Sequence, residues 1–288
     1  MLEADQPPPH SSLSSRTPTT MPWPAVQLDH IVIHLPYQQV RKPPDWITDN
    51  FVLSPGGKHA DGRTENRLVF FHDGTYLEII AFVKDDPARR QGHWCDTEYG
   101  IVNFALTTTH PFDRARFRDR LEASRSGVCY AGEPTRGGRT SVEGKSMTWD
   151  LTFPQEGVEC GLLPFWCHDI TPRENRVPAT DGNARHPCGA VGIAGVLSEI
   201  AGDDQYERVE AALPAITGAS CRQHADARFE VGTPFDIGRL QCPTIRLKRL
   251  HKSQQSRLVL VLQSPRKDGQ KDIDEWVGEG RIIIRFET

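Results

Sequence analysis

The stretch RLVFFHDGTYLEIIAF, residues 67–82, decides the fold of the chain around it. Two apolar runs flank a central Asp-Gly pair, which is a strong signal for a β-hairpin closed by a two-residue type I′ turn. Such a turn fixes the register, so that Phe71 lies opposite Tyr76 and Val69 lies opposite Glu78. The stretch therefore predicts two paired strands with a carboxylate in the middle of the second one.

Glu78 is the informative residue of this hairpin. Side chains alternate across a strand, and the predicted register puts Glu78 on one face with Arg67, Phe71 and Tyr76. A carboxylate buried among apolar groups needs a partner, because an unpaired buried charge is strongly unfavourable. Arg67 offers a structural ion pair. The alternative is that Glu78 is a metal ligand or a general base.

The bulk composition is that of an ordinary globular protein. The chain has 288 residues, with 37% hydrophobic and 25% charged residues, a net charge of -4 and a pI near 6.3. This charge balance gives no footprint for nucleic acid or an anionic membrane, and no apolar run approaches the ~20 residues of a spanning helix. Seven cysteines without a CxxC pair argue against a disulfide framework. We therefore predict a cytoplasmic protein.

Composition also divides the chain. Residues 1–25 are rich in Pro, Ser and Thr and are predicted to be disordered. This tail contains a second methionine, and translation could start at Met1 or at Met21. A Pro-, Asn- and Arg-rich loop interrupts the remainder. The predicted organisation is a disordered tail over 1–25, paired modules over 26–175, a linker over 176–190 and a third module over 191–288.

The order strand, helix, then two or three strands occurs three times. The helices of the second and third passes are predicted over His110–Ser124 and Asp204–Gly218 from their apolar periodicity. This repeat predicts an α+β fold of βαβββ modules arranged as a curled mixed sheet. A third module would cap the outside, extend the sheet or pair across a homodimer.

Several segments together resemble the glyoxalase-like domain family of the vicinal oxygen chelate superfamily. The segments are LDHIVIHL (28–35), GGKHADGRTEN (56–66), DGTYLEIIAF (73–82), PFWCHD (164–169) and HPCGAVGIAGV (186–196). The first unit carries most of the resemblance. It implies paired βαβββ modules whose concave face holds a divalent metal or a small substrate.

The resemblance also implies site residues. The usual metal ligands are a histidine on the first strand and a glutamate on the fourth strand, which correspond to His30 and Glu78. The glycine-rich loop and the segment after the later Pro-Phe pair place His59, Asn66 and His168 near the same cavity.

The second unit departs from that pattern, since its first strand has Ile101 and Asn103 where a ligand histidine would stand. The first strand of the third unit has no histidine. Any metal would therefore be held by His30, Glu78 and a third residue, either His168 or His59.

Three functional classes stay open, of which the third is a dimerisation module without a ligand. The first is a metal-dependent enzyme of isomerase, lyase or dioxygenase type, in which Zn, Mn, Ni or Fe binds a small oxygenated metabolite and Glu78 and His59 act catalytically. The second is a metal-free protein that sequesters an apolar small molecule. In the first class the side chains predicted to bind the substrate are Asn66, Phe71, Tyr76 and Trp166. In the second class the apolar molecule would contact Trp46, Phe71, Tyr76 and Trp166. The chain lacks the serine-hydrolase, Walker and dinucleotide-binding motifs.

Overall fold

The computed structural model describes residues 25–141, 144–155, 157–219, 222–223, 227–238, 241–265 and 270–288. The predictions for the N-terminal tail and for a start at Met21 therefore lie outside the described residues. In the described part of the chain, no helix combines the length and apolar character needed to cross a membrane.

Two βαβββ units share an eight-stranded sheet. The first unit comprises β1 (Val26–His34), α1 (Tyr37–Arg41), α2 (Asp45–Thr48), β2 (Ser54–Lys58), β3 (Thr64–Phe70) and β4 (Tyr76–Phe82). After α3 (Pro87–Arg90), the second unit comprises β5 (Gly100–Thr108), α4 (Arg114–Ser124), β6 (Thr135–Thr140), β7 (Ser146–Thr152) and β8 (Phe165–Asp169). The strand order is β2-β3-β4-β1-β5-β8-β7-β6, so the first strands of the two units lie side by side at the centre.

A second sheet repeats this plan, except that its second half contains no helix among the described residues. After α5 (Arg173–Arg176) and α6 (Asp181–Ala184) come β9 (Gly192–Ala201), α7 (Asp203–Thr217), β10 (Arg222–Gln223), β11 (Ala227–Glu230), β12 (Thr244–Leu250), β13 (Arg257–Gln263), β14 (Ile273–Val277) and β15 (Gly280–Glu287). Its order, β10-β11-β12-β9-β13-β15-β14, places β13, β15 and β14 where β5, β8 and β7 stand in the first sheet. The C-terminal strands therefore form a fourth, shortened unit, with no helix among the described residues between β13 and β14.

The α+β class with repeated βαβββ units and curled mixed sheets is confirmed. One continuous hydrophobic core joins the helix-bearing side of the first sheet to the second sheet, and it includes the fully buried Ile31, Phe104, Leu213 and Leu260. Leu28 N donates to the Gly232 carbonyl and Gly232 N donates to the Val26 carbonyl, which ties β1 to the segment after β11. The domain boundaries themselves stay a prediction.

The hairpin at residues 67–82 forms, but the predicted register is wrong by one residue. Phe70, not Phe71, lies opposite Tyr76, and Leu68 lies opposite Glu78. The Asp73 carboxylate accepts hydrogen bonds from the backbone and hydroxyl of Thr75, and Gly74 N donates to Phe71 O, so the loop has three residues and ends in a left-handed glycine.

A one-residue shift exchanges the two faces of a strand. Arg67 and Phe71 consequently face the helices, where Arg67 donates to the carbonyl of Val40 and Phe71 packs against His186. Asn66 and Leu68 take their places beside Glu78. This register excludes the alternative in which Arg67 and Glu78 form a structural ion pair.

The first sheet curls until its two edges nearly meet. His59, just after β2, forms a bridge with Arg139 on β6, and Ala60 N donates to the Gly138 carbonyl at 2.9 Å. This seam joins the edge strand of the first unit, β2, to the edge strand of the second unit, β6. The curled sheet thereby encloses a cavity, the cup.

Candidate functional site

A cavity of about 350 Å³ fills the cup of the first sheet. Its polar wall comes mainly from the first unit and the seam, and its aromatic wall comes mainly from the second unit. The polar side chains include His30, His59, Asn66, Tyr76, Glu78, His93, Arg139 and Arg176. The aromatic side chains are Trp94, Trp149, Phe153 and Phe165.

Glu78 lies at the centre of the polar wall, between two imidazoles. Its Oε2 is 3.7 Å from His30 Nε2, and its Oε1 is 3.3 Å from His59 Nε2. The side-chain amide of Asn66 donates to Oε1 at 2.6 Å. Burial raises the pKa of Glu78, but the hydrogen bond and charge of His59, the charge of His30 and the Asn66 amide together lower it to about 2. The side chain is an anionic carboxylate at neutral pH.

His30 is held by a neighbour in the sequence. A β-bulge in β1 falls at Asp29, and the Asp29 carboxylate contacts His30 Nδ1 at 2.6 Å. The imidazole also stacks on Tyr76 with ring centroids 4.6 Å apart and meets the edge of Phe165 at 5.4 Å. These contacts fix the ring so that Nε2 points towards Glu78.

His59 is positioned by the glycine-rich segment of β2. Its Nδ1 contacts the Thr64 hydroxyl at 2.6 Å, and its Nε2 is 3.3 Å from the Asn66 amide nitrogen. Gly56 runs so close to Asn66 that a Cβ on residue 56 would lie 2.1 Å from the Asn66 carbonyl oxygen. The glycine therefore allows the backbone approach that brings His59 to Glu78.

A closed ion-pair cluster lies behind His30. Arg176 donates to both carboxylate oxygens of Asp29, to both of Asp169 and, at 2.6 Å, to the Tyr76 hydroxyl. Arg173 adds contacts to Asp29 and Asp169. Although burial raises it, the pKa of Asp29 is held well below its usual value by the charges of Arg173 and Arg176. Two guanidinium groups and two carboxylates balance each other here.

The structure brings together five of the predicted site residues: His30, His59, Asn66, Tyr76 and Glu78. The other three lie elsewhere. Phe71 faces the helices because of the register shift. Trp166 and His168 alternate with Cys167, which lines the cavity, so their rings project from the opposite face of β8 and pack against Phe112.

His168 lines a second cavity together with Phe112, Arg114 and Asp150. It therefore lies across the sheet from Glu78 and is left out of the candidate metal ligands. Trp46, which was predicted to contact the ligand of a metal-free binding protein, packs against the main core and not in the cup. Of the two histidines predicted as a third metal ligand, His59 is the one that lies in the cup.

Four contributors were not predicted: Asp29, His93, Arg139 and Arg176. Asp29 could have been found from its position beside His30, since a carboxylate next to a ligand-type histidine often orients its ring. Arg176 lies at the start of the predicted linker, yet it is buried behind the cavity. Arg139 reaches the site only through closure of the seam, for which the sequence carries no local signal.

The site chemistry fits a divalent cation at His30 and Glu78. His30 Nδ1 is held by Asp29, which leaves Nε2 to bind an ion, and its 3.7 Å separation from Glu78 Oε2 is one that two donors about 2.1 Å from a common ion can take. In the described residues, the set of three ligand-type atoms within 4.8 Å of one another is Asp29, His30 and Cys167. That set is a poor site, because Arg173 and Arg176 already occupy Asp29.

Comparisons with known proteins agree with this architecture. A family model described as "Glyoxalase-like domain" matches residues 28–217. No curated protein matches the sequence.

Among solved structures, a hypothetical protein from Staphylococcus aureus superposes with a TM-score of 0.64 at 13% identity and covers 91% of this chain and 100% of its own. The 2,3-dioxygenase LapB from Pseudomonas sp. KL28 gives a TM-score of 0.47 at 11% identity, covering 92% and 93%. Methylmalonyl-CoA epimerase from Mycobacterium tuberculosis gives 0.30 at 17%, covering 46% and 83%. At such identities the first of these supports the fold alone.

Proposed function

This chain belongs to the glyoxalase-like domain family of the vicinal oxygen chelate superfamily, and on that premise we propose that it is a metal-dependent enzyme acting on a small oxygenated metabolite bound in the cup of the first sheet. The observation that carries the proposal is the ionised Glu78 carboxylate between two imidazoles whose outer nitrogens are both held by other side chains. The reaction class is proton transfer beside a carbonyl or hydroxyl group, as in an isomerase or lyase.

His30 Nε2 and Glu78 Oε2 would hold the ion, with its other positions left to substrate oxygens and water. A bound divalent cation supplies Lewis-acid stabilisation of negative charge on such oxygens. The low pKa of Glu78 suits a ligand and makes it a weak base. His59 is the better proton carrier, because an imidazole is the usual group for proton transfer near neutral pH and its Nε2 faces the cavity beside Glu78.

A metal-free binding protein is the second candidate. The observation in its favour is that Glu78 already accepts a hydrogen bond from Asn66 and lies within reach of His59, so its charge has partners without an ion. The aromatic wall of Trp94, Trp149 and Phe165 would then hold an apolar ligand. This candidate predicts that no cation binds at Glu78, Asn66 or His59.

Metal titration separates the two candidates. Untagged protein is stripped with EDTA, dialysed and titrated by calorimetry with Mn²⁺, Ni²⁺, Zn²⁺ and Fe²⁺ under anaerobic conditions. We expect about one equivalent to bind to the wild type, with affinity lowered about 100-fold or more in His30→Gln and Glu78→Gln, since removing a ligand costs more than the 10–100-fold of a supporting contact. His59→Gln is expected to keep the metal.

His168→Gln is the matched control, because it changes an imidazole of the same sheet that faces the other cavity. It is expected to bind metal like the wild type. A wild type that binds none of the four cations, or a Glu78→Gln variant that binds as the wild type does, would overturn the metal-dependent function and leave the binding protein.

A further inference from the structure

Two buried guanidinium groups line the cavity, and they differ in their partners. Arg176 is bound by the carboxylates of Asp29 and Asp169. Arg139 is 6% exposed, and among the described residues no carboxylate lies within 4 Å of it. One buried cation in the cup is therefore in contact with carboxylates and the other is not.

The contacts of Arg139 are long and uncharged. Nη1 donates to Asn66 Oδ1 at 3.3 Å, and Nη2 donates to the Arg176 carbonyl at 3.4 Å and to the Met147 sulfur at 3.9 Å. Its Nε is buried and makes no hydrogen bond with any described residue. Burial lowers the pKa of this guanidinium from its usual value. An arginine placed in this way is poorly satisfied by the protein alone.

The geometry points to Arg139 as the anchor for a carboxylate group of the ligand, and we propose that the cup takes a small carboxylic acid. A guanidinium fork matches a carboxylate in shape and charge, and such bonds are stronger than those between neutral groups. A carboxylate fits better than a phosphate dianion, because among the described residues Arg139 is the one buried guanidinium of the cavity without a carboxylate partner, and it offers one compensating charge.

The location of Arg139 connects this anchor to the reactive wall. Asn66 bridges the two, since its Oδ1 accepts from Arg139 and its amide nitrogen donates to Glu78 Oε1. A carboxylate at Arg139 would thus leave the adjacent carbon of the ligand facing Glu78 and His59, with the remainder against Trp149 and the other aromatic rings. This proposal rests on the cavity of the proposed function but not on its metal.

Two pairs of isosteric probes test the anchor: benzoate against benzamide, and butyrate against butyramide. Binding is measured by calorimetry and thermal shift on EDTA-stripped protein, so that the result is independent of the metal. We expect at least one acid to bind about tenfold or more tightly than its amide, and Arg139→Gln to remove that preference. Arg139→Lys should retain part of it, which serves as a second reading if the glutamine variant folds poorly.

Arg136→Gln is the matched control. Arg136 lies on the same strand and carries the same charge, but it is paired with Asp150 and its side chain is 62% exposed at the rim. It should keep the preference within about twofold, since exposed pairs contribute little.

Failure of both acids to bind better than their amides, or an unchanged preference in Arg139→Gln, would overturn the carboxylate anchor. Phenyl phosphate binding more than about tenfold tighter than benzoate would overturn the carboxylate in favour of a phosphate. Acid binding without metal binding would support the anchor while the metal-dependent function falls.

Discussion

Each of the two sheets contains a buried glutamate, and the two glutamates have different partners. Glu199 on β9 is bound by Lys248 and Arg257, whose side chains are 49% and 37% exposed. Glu78 on β4 contacts two imidazoles and an amide. The hydrogen bonds of Lys248 and Arg257 lower the pKa of Glu199 against the effect of its burial.

The comparison shows how two copies of one architecture can diverge in role. When each carboxylate oxygen of a glutamate is bound by a cationic side chain, no oxygen is left to bind a metal or a ligand. A glutamate flanked by imidazoles keeps that capacity, because a neutral imidazole can bind an ion or carry a proton. The second sheet therefore has a structural charge cluster, whereas the first has a candidate site.

The largest expected effect concerns a structural cluster inside the first sheet. Asp29→Asn leaves the buried Arg176 and its neighbour Arg173 with one carboxylate between them, so we expect the free energy of unfolding to fall by about 3–5 kcal/mol. Urea unfolding of EDTA-treated protein measures it.

Asp150→Asn is the control for Asp29→Asn, because Asp150 pairs with the exposed Arg136 and should change stability by at most about 1 kcal/mol. Equal effects of the two substitutions would mean that the cluster behind His30 is not a structural support.

A second prediction uses pH to sharpen the difference between the sheets. Burial and the charge of Arg90 lower the pKa of His34 on β1 from 6.5 to about 4. Between those values the unfolded chain binds a proton that the folded chain does not, so stability is full above about pH 6.5 and declines as the pH falls to 4. His93 and His168, also in the first two units, have pKa values of about 4 for the same reason of burial.

Replacing His34 with glutamine should remove its share of that decline, which is on the order of 3 kcal/mol at pH 4. The measurement is the free energy of unfolding of both proteins at intervals from pH 7 to pH 4. The slope is the readout, since the substitution also removes the contact between His34 and the Thr97 carbonyl. Parallel curves would contradict the assignment.

Much of the first unit could be predicted from the sequence, and the limits have physical causes. His30 and Glu78 lie on strands that the resemblance makes neighbours, and their convergence follows from strand alternation. Phe71 was assigned to the wrong face because the Asp73 side chain bonds to Thr75 and lengthens the turn by one residue. Register depends on such local bonds, and composition does not reveal them.

Other features depend on contacts between distant parts of the chain. Arg139 joins His59 only when the edges of the sheet meet, and no periodicity reports that closure. The sequence predicts β13–β15 as part of the third unit and not as a shortened fourth one, because no helical pattern separates these strands. The carboxylate anchor could therefore be found only from the structure.

The smallest expected effect tests the second sheet directly. Glu199→Gln leaves Lys248 and Arg257 without their carboxylate, but both side chains reach solvent, so we expect a loss of only about 1–2 kcal/mol in the free energy of unfolding. Metal and benzoate affinities of this variant should match those of the wild type, whereas Glu78→Gln should lose the metal. Urea unfolding and calorimetry on the same preparations measure both quantities. If Glu199→Gln impaired binding as strongly as Glu78→Gln, the division between a structural sheet and a ligand-binding sheet would be wrong, because the two glutamates would then act on one shared site.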